Sequence, residues 1–234
     1  MINIFFPSNN DKNEIFIASS SKGQNIKASE ITEEKRKEIE IDFFNKINLD
    51  MKKAIFMHQV HKDNIVKIDE TNKNIYSKEN PVKETDALIT NVPLVIQTAD
   101  CLPIILYCKE SKSMAAIHCS WRGIVQKIVP KTIESMKREY NIDARTTYAY
   151  IGAHIFQKDY EVGEEVAAHF RAKRIINGKW HTDNAMESVL QMIDSGLFEE
   201  NIEVSNLNSY NEMFYSYRRD GKQIGRILTV GMIK

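Results

Sequence analysis

Apolar positions along this chain recur with two spacings, and the spacing assigns the elements. Short apolar or alternating runs read as strands. They fall at Ile2–Phe5, Glu14–Ala18, Lys53–Met57, Ile65–Ile68, Ala87–Thr90, Leu94–Gln97, Pro103–Cys108, Met114–His118 and Thr147–Ile151, with a late one over Ile224–Met232. Stretches with helical spacing are Ile31–Ile47, Ile124–Tyr140, Val162–Arg171 and Asp183–Gly196. In the second, Ile124, Val125, Ile128, Val129, Ile133, Met136 and Tyr140 make one apolar stripe. In the last, Met186, Val189, Leu190 and Ile193 share a face, and Gly196 marks the stop. Many strands with few helices imply a layered α/β (α+β) fold, mixed β-sheets flanked by helices.

The polar stretches at 20–40 and 69–85 read as solvated surface, the second as a loop with Asn72, Asn74, Ser77, Asn80 and Pro81. No repeat and no Pro/Gly/Ser linker divides the chain, so residues 1–234 read as a single domain. Lys+Arg and Asp+Glu both number 32, which argues against a nucleic-acid binder and suits a small-molecule substrate. Met1–Pro7 lacks the features of a secretory signal, and no apolar run reaches the ~18 residues of a membrane span. Three cysteines without a signal, Cys101, Cys108 and Cys119, imply reduced thiols and a cytoplasmic location.

The chemistry concentrates where two apolar runs flank the polar connection Lys109–Lys112. Those runs predict a β-hairpin. With the turn centred near Glu110 and Ser111, Cys108 faces Ser113, and Cys101 comes within a residue or two of His118. A thiol and an imidazole at one end of a hairpin suit zinc, although a buried cysteine and a hydrogen-bonded histidine fit the same spacing; a catalytic zinc takes three protein ligands and keeps one position open. The third comes from His58 or His61, which a strand would point to opposite faces. Cys108 reads as a small buried hydrophobe, and Cys119 faces away from His118.

Five motifs here resemble the laccase-domain, polyphenol-oxidase-type (YfiH-like) family, whose members are zinc-dependent purine nucleoside phosphorylases. They are Gln59-Val-His61, Thr98-Ala-Asp-Cys-Leu-Pro103, Ala116-Ile-His-Cys-Ser-Trp-Arg-Gly123, Tyr160-Glu-Val-Gly163, and Phe214-Tyr-Ser-Tyr-Arg-Arg-Asp-Gly221 with Gly225-Arg226. The resemblance implies His61, Cys101 and His118 as metal ligands and a YfiH-like sandwich of mixed sheets. It also implies phosphorolysis of adenosine, guanosine, inosine or methylthioadenosine, together with adenosine deamination. In that setting Arg122 offers phosphate a planar fork of donors, and Gly123 is expected to open a helix whose first amides add to an anion site. Asp100, beside a ligand, is a candidate to orient it or move a proton. His154, near a strand end, is expected at the surface, with the border of the pocket as the alternative, and for Arg218, Arg219 and Arg226 contact with substrate and bracing of the fold stay open.

The chain departs from the family pattern at Ile17–Gln24, which lacks an Arg-Gly-Gly segment, at Gly152–Asp159, and at Ser120, where glycine is usual. These departures bear on the nucleoside pocket and leave the ligands untouched. Three other readings compete. Cys101 with His118 as base would make a metal-free thiol hydrolase, or an editor of cell-wall precursors. Two histidines and a cysteine also suit copper, although six histidines are few for a multicopper oxidase. A fourth ligand such as His58 would make a structural zinc.

Overall fold

The apolar runs on either side of residues 109–112 pair as β7 (Leu102–Cys108) and β8 (Ser113–Cys119), all of whose residues are buried. Cys108 pairs with Ser113 and Leu102 with Cys119, the register expected from the sequence. Alternate residues of these strands enter two different cores. Ile104, Leu106, Ala115 and Ile117 face one, while Ile105, Tyr107, Met114 and Ala116 face the other. A sheet covered on both faces needs apolar residues at every position, which explains the unbroken runs.

The computed structural model describes residues 2–5, 14–22, 31–221 and 225–234. Residues 23–30 of the polar 20–40 stretch, the end of the divergent segment at 23–24, and Ile224 at the expected start of the last strand lie outside them.

In chain order the other elements are β1 (Ile2–Phe5), β2 (Ile15–Ser20), α1 (Glu33–Lys46), β3 (Ile55–Phe56), β4 (Ile65–Lys67), β5 (Ala87–Thr90) and β6 (Leu94–Thr98). After β8 come α2 (Trp121–Val125), α3 (Ile128–Tyr140), β9 (Thr147–Ile151), β10 (Glu161–Val162), α4 (Glu164–Ala167), β11 (Lys173–Ile176) and β12 (Lys179–Thr182). The chain closes with α5 (Asn184–Asp194), β13 (Ile202–Val204), α6 (Tyr217–Asp220) and β14 (Ile227–Ile233).

A six-stranded sheet runs β13-β9-β7-β8-β5-β4, and a five-stranded sheet runs β1-β2-β14-β6-β3. Each mixes parallel and antiparallel pairs. Ile15, Ile17, Leu94 and Ile96 of the smaller sheet meet Leu88, Ile105 and Tyr107 of the larger one in the central core. Outside the larger sheet lie Ile128, Val129, Ile133 and Met136 of α3 with Val189 and Met192 of α5. Outside the smaller sheet lie Phe43 and Phe44 of α1, packed on Val95, Leu228 and Val230. The layers therefore run helix, sheet, sheet, helix. Each buried Ile, Leu or Phe stabilises this stack by about 1.5–3 kcal/mol. Among the described residues no helix is long and apolar enough to cross a membrane.

The helix expected over Ile124–Tyr140 is two helices. Lys127 adopts a left-handed conformation (φ 64°) between α2 and α3. Pro130 explains the break: in one continuous helix its ring would meet the Gln126 carbonyl and no N–H would bond there, whereas it is tolerated in the first turn of α3. Similarly, only Glu164–Ala167 of the expected Val162–Arg171 helix forms. Glu161 and Val162 pair with His181 and Trp180 in a three-stranded sheet of order β10-β12-β11. At the other end, the buried Glu187 carboxylate takes the N–H groups of Arg171 (2.8 Å) and Ala172 (3.2 Å), which a continuing helix would need.

Candidate metal centre

The turn between β6 and β7 carries the chain from the five-stranded to the six-stranded sheet, and Cys101 sits in it. Asp100, just before, has φ 93°, a conformation that costs a non-glycine residue about 1–3 kcal/mol. The turn is held by its neighbours. Asp100 Oδ1 accepts from Ser209 Oγ at 2.7 Å, its Oδ2 accepts from the Arg218 N–H at 2.7 Å, and its carbonyl accepts from the Ile155 N–H at 3.1 Å. Both carboxylate oxygens are thus engaged in tying residues 209–218 to the turn.

His118 lies near the end of β8, buried, and His61 lies on the 57–64 loop after β3 with φ 59°. Asp86 joins them. This carboxylate, fully buried at the head of β5, accepts from His118 Nδ1 at 2.7 Å and from the N–H groups of Val60 (3.1 Å), His61 (3.0 Å) and Lys62 (2.9 Å). Burial works to raise its pKa. The bonds from His118 and from the Lys62 and Val60 amides outweigh that and hold it below the usual carboxylate range. With Nδ1 donating to Asp86, His118 keeps Nε2 free as a lone-pair ligand. Gln59 fixes the same loop to β6: its Nε2 donates to the Gln97 carbonyl (2.7 Å) and its Oε1 accepts from the Gln97 N–H (2.9 Å).

As a result, ligand atoms of His61, Cys101 and His118 lie within 4.8 Å of one another, a group able to hold a metal ion. His118 is buried, Cys101 half-buried and His61 exposed, so the group runs from the floor to the mouth of a cavity of about 770 Å³. Desolvation and the neighbouring His118 hold the His61 imidazole below the usual histidine range. Burial, reinforced by the Asp100 charge, pushes the Cys101 thiol up to about 12. Such a thiol is a poor nucleophile unaided, but a coordinated metal deprotonates it outright. His58 borders the cavity and is not part of the group. Cys108 and Cys119 are both fully buried in the outer core, with Cys119 Sγ 3.7 Å from Ser188 Oγ.

Around the mouth stand Arg122, Arg218 and Arg226, all exposed. Arg122 lies over the Trp121 ring at 4.4 Å, and among the described residues no carboxylate pairs with it. Arg218 stacks on Tyr160 (4.9 Å) and donates to the Glu161 carbonyl (2.7 Å). Arg219 braces the fold through the Tyr210 and Phe214 carbonyls and Asp220. Gly123 does not open the helix. Ser120 is the N-cap, α2 begins at Trp121, and the Gly123 N–H is held by Ser120 Oγ at 3.1 Å. A side chain at Gly123 would meet Ile128 Cγ2 at 3.2 Å and the Lys62 carbonyl at 3.4 Å, so glycine lets α2 lie against the His61 loop. His154 is not at the surface. It is buried and borders a different cavity, because Ile155 hydrogen-bonds to the Asp100 turn and draws the segment inward.

Sequence reasoning missed Asp86 and the bracing role of Gln59. The readable signal was an acidic residue heading a wholly apolar strand, Asp86 before Ala87–Thr90, since buried carboxylates are rare without a partner.

The family model described as multi-copper polyphenol oxidoreductase laccase matches residues 28–234. A purine nucleoside phosphorylase of Clostridium acetobutylicum is 31% identical over 236 residues, spanning 96% of this chain and 94% of that protein. Adenosine deaminase RL5, from an unknown prokaryotic organism, is 30% identical over 78% of this chain and 76% of its own. In three dimensions the Bacillus licheniformis hypothetical protein YfiH superposes with a TM-score of 0.81 at 21% identity, covering 94% of this chain and 93% of that one. That likeness carries the fold, the mixed-sheet sandwich expected from the sequence.

Proposed function

As this chain belongs to the multi-copper polyphenol oxidoreductase laccase family, we propose that it is a zinc-dependent purine nucleoside phosphorylase with adenosine deamination as a second reaction. The observation that carries the reading is the meeting of His61, Cys101 and His118 in the wall of an arginine-rimmed cavity. Tetrahedral zinc with bonds of ~2.0–2.3 Å sets its ligand atoms ~3.3–3.7 Å apart, so side-chain shifts of about 1 Å bring the trio onto one ion. The donor set of two imidazoles and one thiol is borderline-soft, as zinc prefers, and the Asp86 bond orients His118 as metal-bound histidines are oriented. Relatives named purine nucleoside phosphorylase and adenosine deaminase favour nucleoside and phosphate as substrates.

Phosphorolysis breaks the bond between C1′ and the purine nitrogen and forms one from C1′ to a phosphate oxygen. Arg122, which lies over the Trp121 ring and pairs with no carboxylate among the described residues, binds phosphate oxygens at the mouth. Arg226, on the opposite flank of the sequence but in the same cavity, adds positive charge. Asp100 serves by orientation: its two engaged oxygens keep Cys101 and the Arg218 segment in place. A zinc ion held by His61, Cys101 and His118 would supply the activation of water that deamination needs, by lowering its pKa toward ~7.

The thiol pKa of about 12 at Cys101 counts against the metal-free hydrolase. A single copper would accept the same ligands, but a multicopper cluster finds no second such group among the described residues. We read residues 1–234 as one domain, because β2 and β14, from the two ends of the described chain, are neighbours in one sheet. The test combines elemental analysis of the purified protein with chromatography of adenosine plus phosphate. Zinc in the protein, with adenine and ribose 1-phosphate formed by the wild type and not by Cys101→Ala, is the expected result. Equal turnover by the variant removes the proposal.

A further inference from the structure

A second cavity, of about 420 Å³, shares no lining residue with the first. His154 forms part of its wall and is only 4% exposed. Its Nδ1 bonds to the Gly152 carbonyl at 2.8 Å. A carbonyl only accepts, so Nδ1 carries the proton and Nε2 is a lone-pair acceptor. No protein donor meets that Nε2 among the described residues. With no such donor, Nε2 keeps some solvent exposure in the cavity, where a ligand N–H can take the place of water. Asp183 adds another acceptor nearby, its Oδ1 already taken by the Met186 N–H at the start of α5.

The rest of the lining supplies two further properties. Phe156 offers a ring, and Met186 (49% exposed) and Val204 (42% exposed) leave apolar surface open to solvent. Arg174 and Lys158 bring two cations to the same cavity, and no carboxylate pairs with either among the described residues. Two acceptors, an aromatic and apolar wall and two cations describe one kind of molecule: a flat ring with N–H donors on its edge and an anionic group beyond it. The volume sits at the small end of the ~300–1,000 Å³ that holds such ligands.

We propose that this cavity binds a purine mononucleotide, with base N–H donors on His154 Nε2 and Asp183, the ring against Phe156 and Met186, and the phosphate on Arg174 and Lys158. Guanosine 5′-monophosphate is the probe of choice, because its N1–H and amino group present two donors side by side. The proposal stands on this cavity alone and does not depend on the metal reading.

The experiment is calorimetric titration of the full chain with guanosine 5′-monophosphate. Saturable binding is expected, weakened about tenfold by Arg174→Ala and about tenfold by His154→Phe, each the loss of one strong polar contact. Arg145→Ala, outside the lining of both cavities, is expected to bind as the wild type does. Inorganic phosphate alone is expected to bind at least about tenfold more weakly, since it lacks the ring. Arg174 is exposed, so its variant carries the test even where His154→Phe fails to fold. Absence of binding at millimolar nucleotide, equal affinity in Arg174→Ala, or phosphate binding as tightly as the nucleotide overturns the proposal.

Discussion

His118 and His154 are both buried, and each has Nδ1 in a short hydrogen bond, yet they are different chemical tools. The partner of His118 is the Asp86 carboxylate at 2.7 Å, and that of His154 is the Gly152 carbonyl at 2.8 Å. A carboxylate makes the far nitrogen more basic and stabilises a positive charge gathered there, as metal coordination requires. A carbonyl fixes the tautomer and gives less support to charge, and burial holds His154 below the usual histidine range. The surroundings agree. Cys101 and His61 converge on His118, whereas no second metal-ligating group surrounds His154 among the described residues. What lies behind an imidazole, as much as what lies in front, decides whether it serves a metal.

The sharpest break of this comparison is Cys101→Ala. Zinc content should fall from about one ion per chain to background, with phosphorolysis undetectable, as measured by elemental analysis and product chromatography. Asp86→Asn removes the charge behind His118 and one acceptor for the His61 loop. Zinc affinity by chelator competition should drop about 10–100-fold, and unchanged affinity would show that the carboxylate is not what sets His118 apart. Arg122→Ala should raise the KM for phosphate about tenfold or more while zinc content holds, one charge-assisted contact being lost. Gln59→Ala loses two bonds to Gln97, and urea unfolding should show a loss of about 1–2 kcal/mol. The smallest effect belongs to the other histidine: His154→Phe should leave zinc affinity within about twofold, and a larger fall would erase the distinction drawn here.

The sandwich was legible because its central strands are covered on both sides. Leu102–Cys108 and Ser113–Cys119 had to be apolar throughout, and their four-residue connection set the register that brings Cys101 to His118. The three-stranded sheet escaped notice for the opposite reason. Lys173, Arg174 and Ile175 of β11 are exposed, so no core imposes a pattern on them. The Asn177-Gly178 turn was the signal available there, with φ 51° and 78° at its two central residues, values that suit asparagine and glycine. The break at Lys127 was readable from Pro130, which an apolar stripe alone conceals. Asp86 was harder, because its four donors come from residues distant in sequence and become visible only when β5, β8 and the 57–64 loop are seen together.

The placement of β14 has a consequence for how this molecule comes to exist. That strand runs between β2 and β6, hydrogen-bonded to both, and among the described residues it follows every other strand. During synthesis, β2 and β6 leave the ribosome with the place between them still empty. Until β14 emerges, two unpaired edges remain open to other nascent chains or to chaperones. Truncation before Ile227 should therefore yield an insoluble product rather than a shortened enzyme.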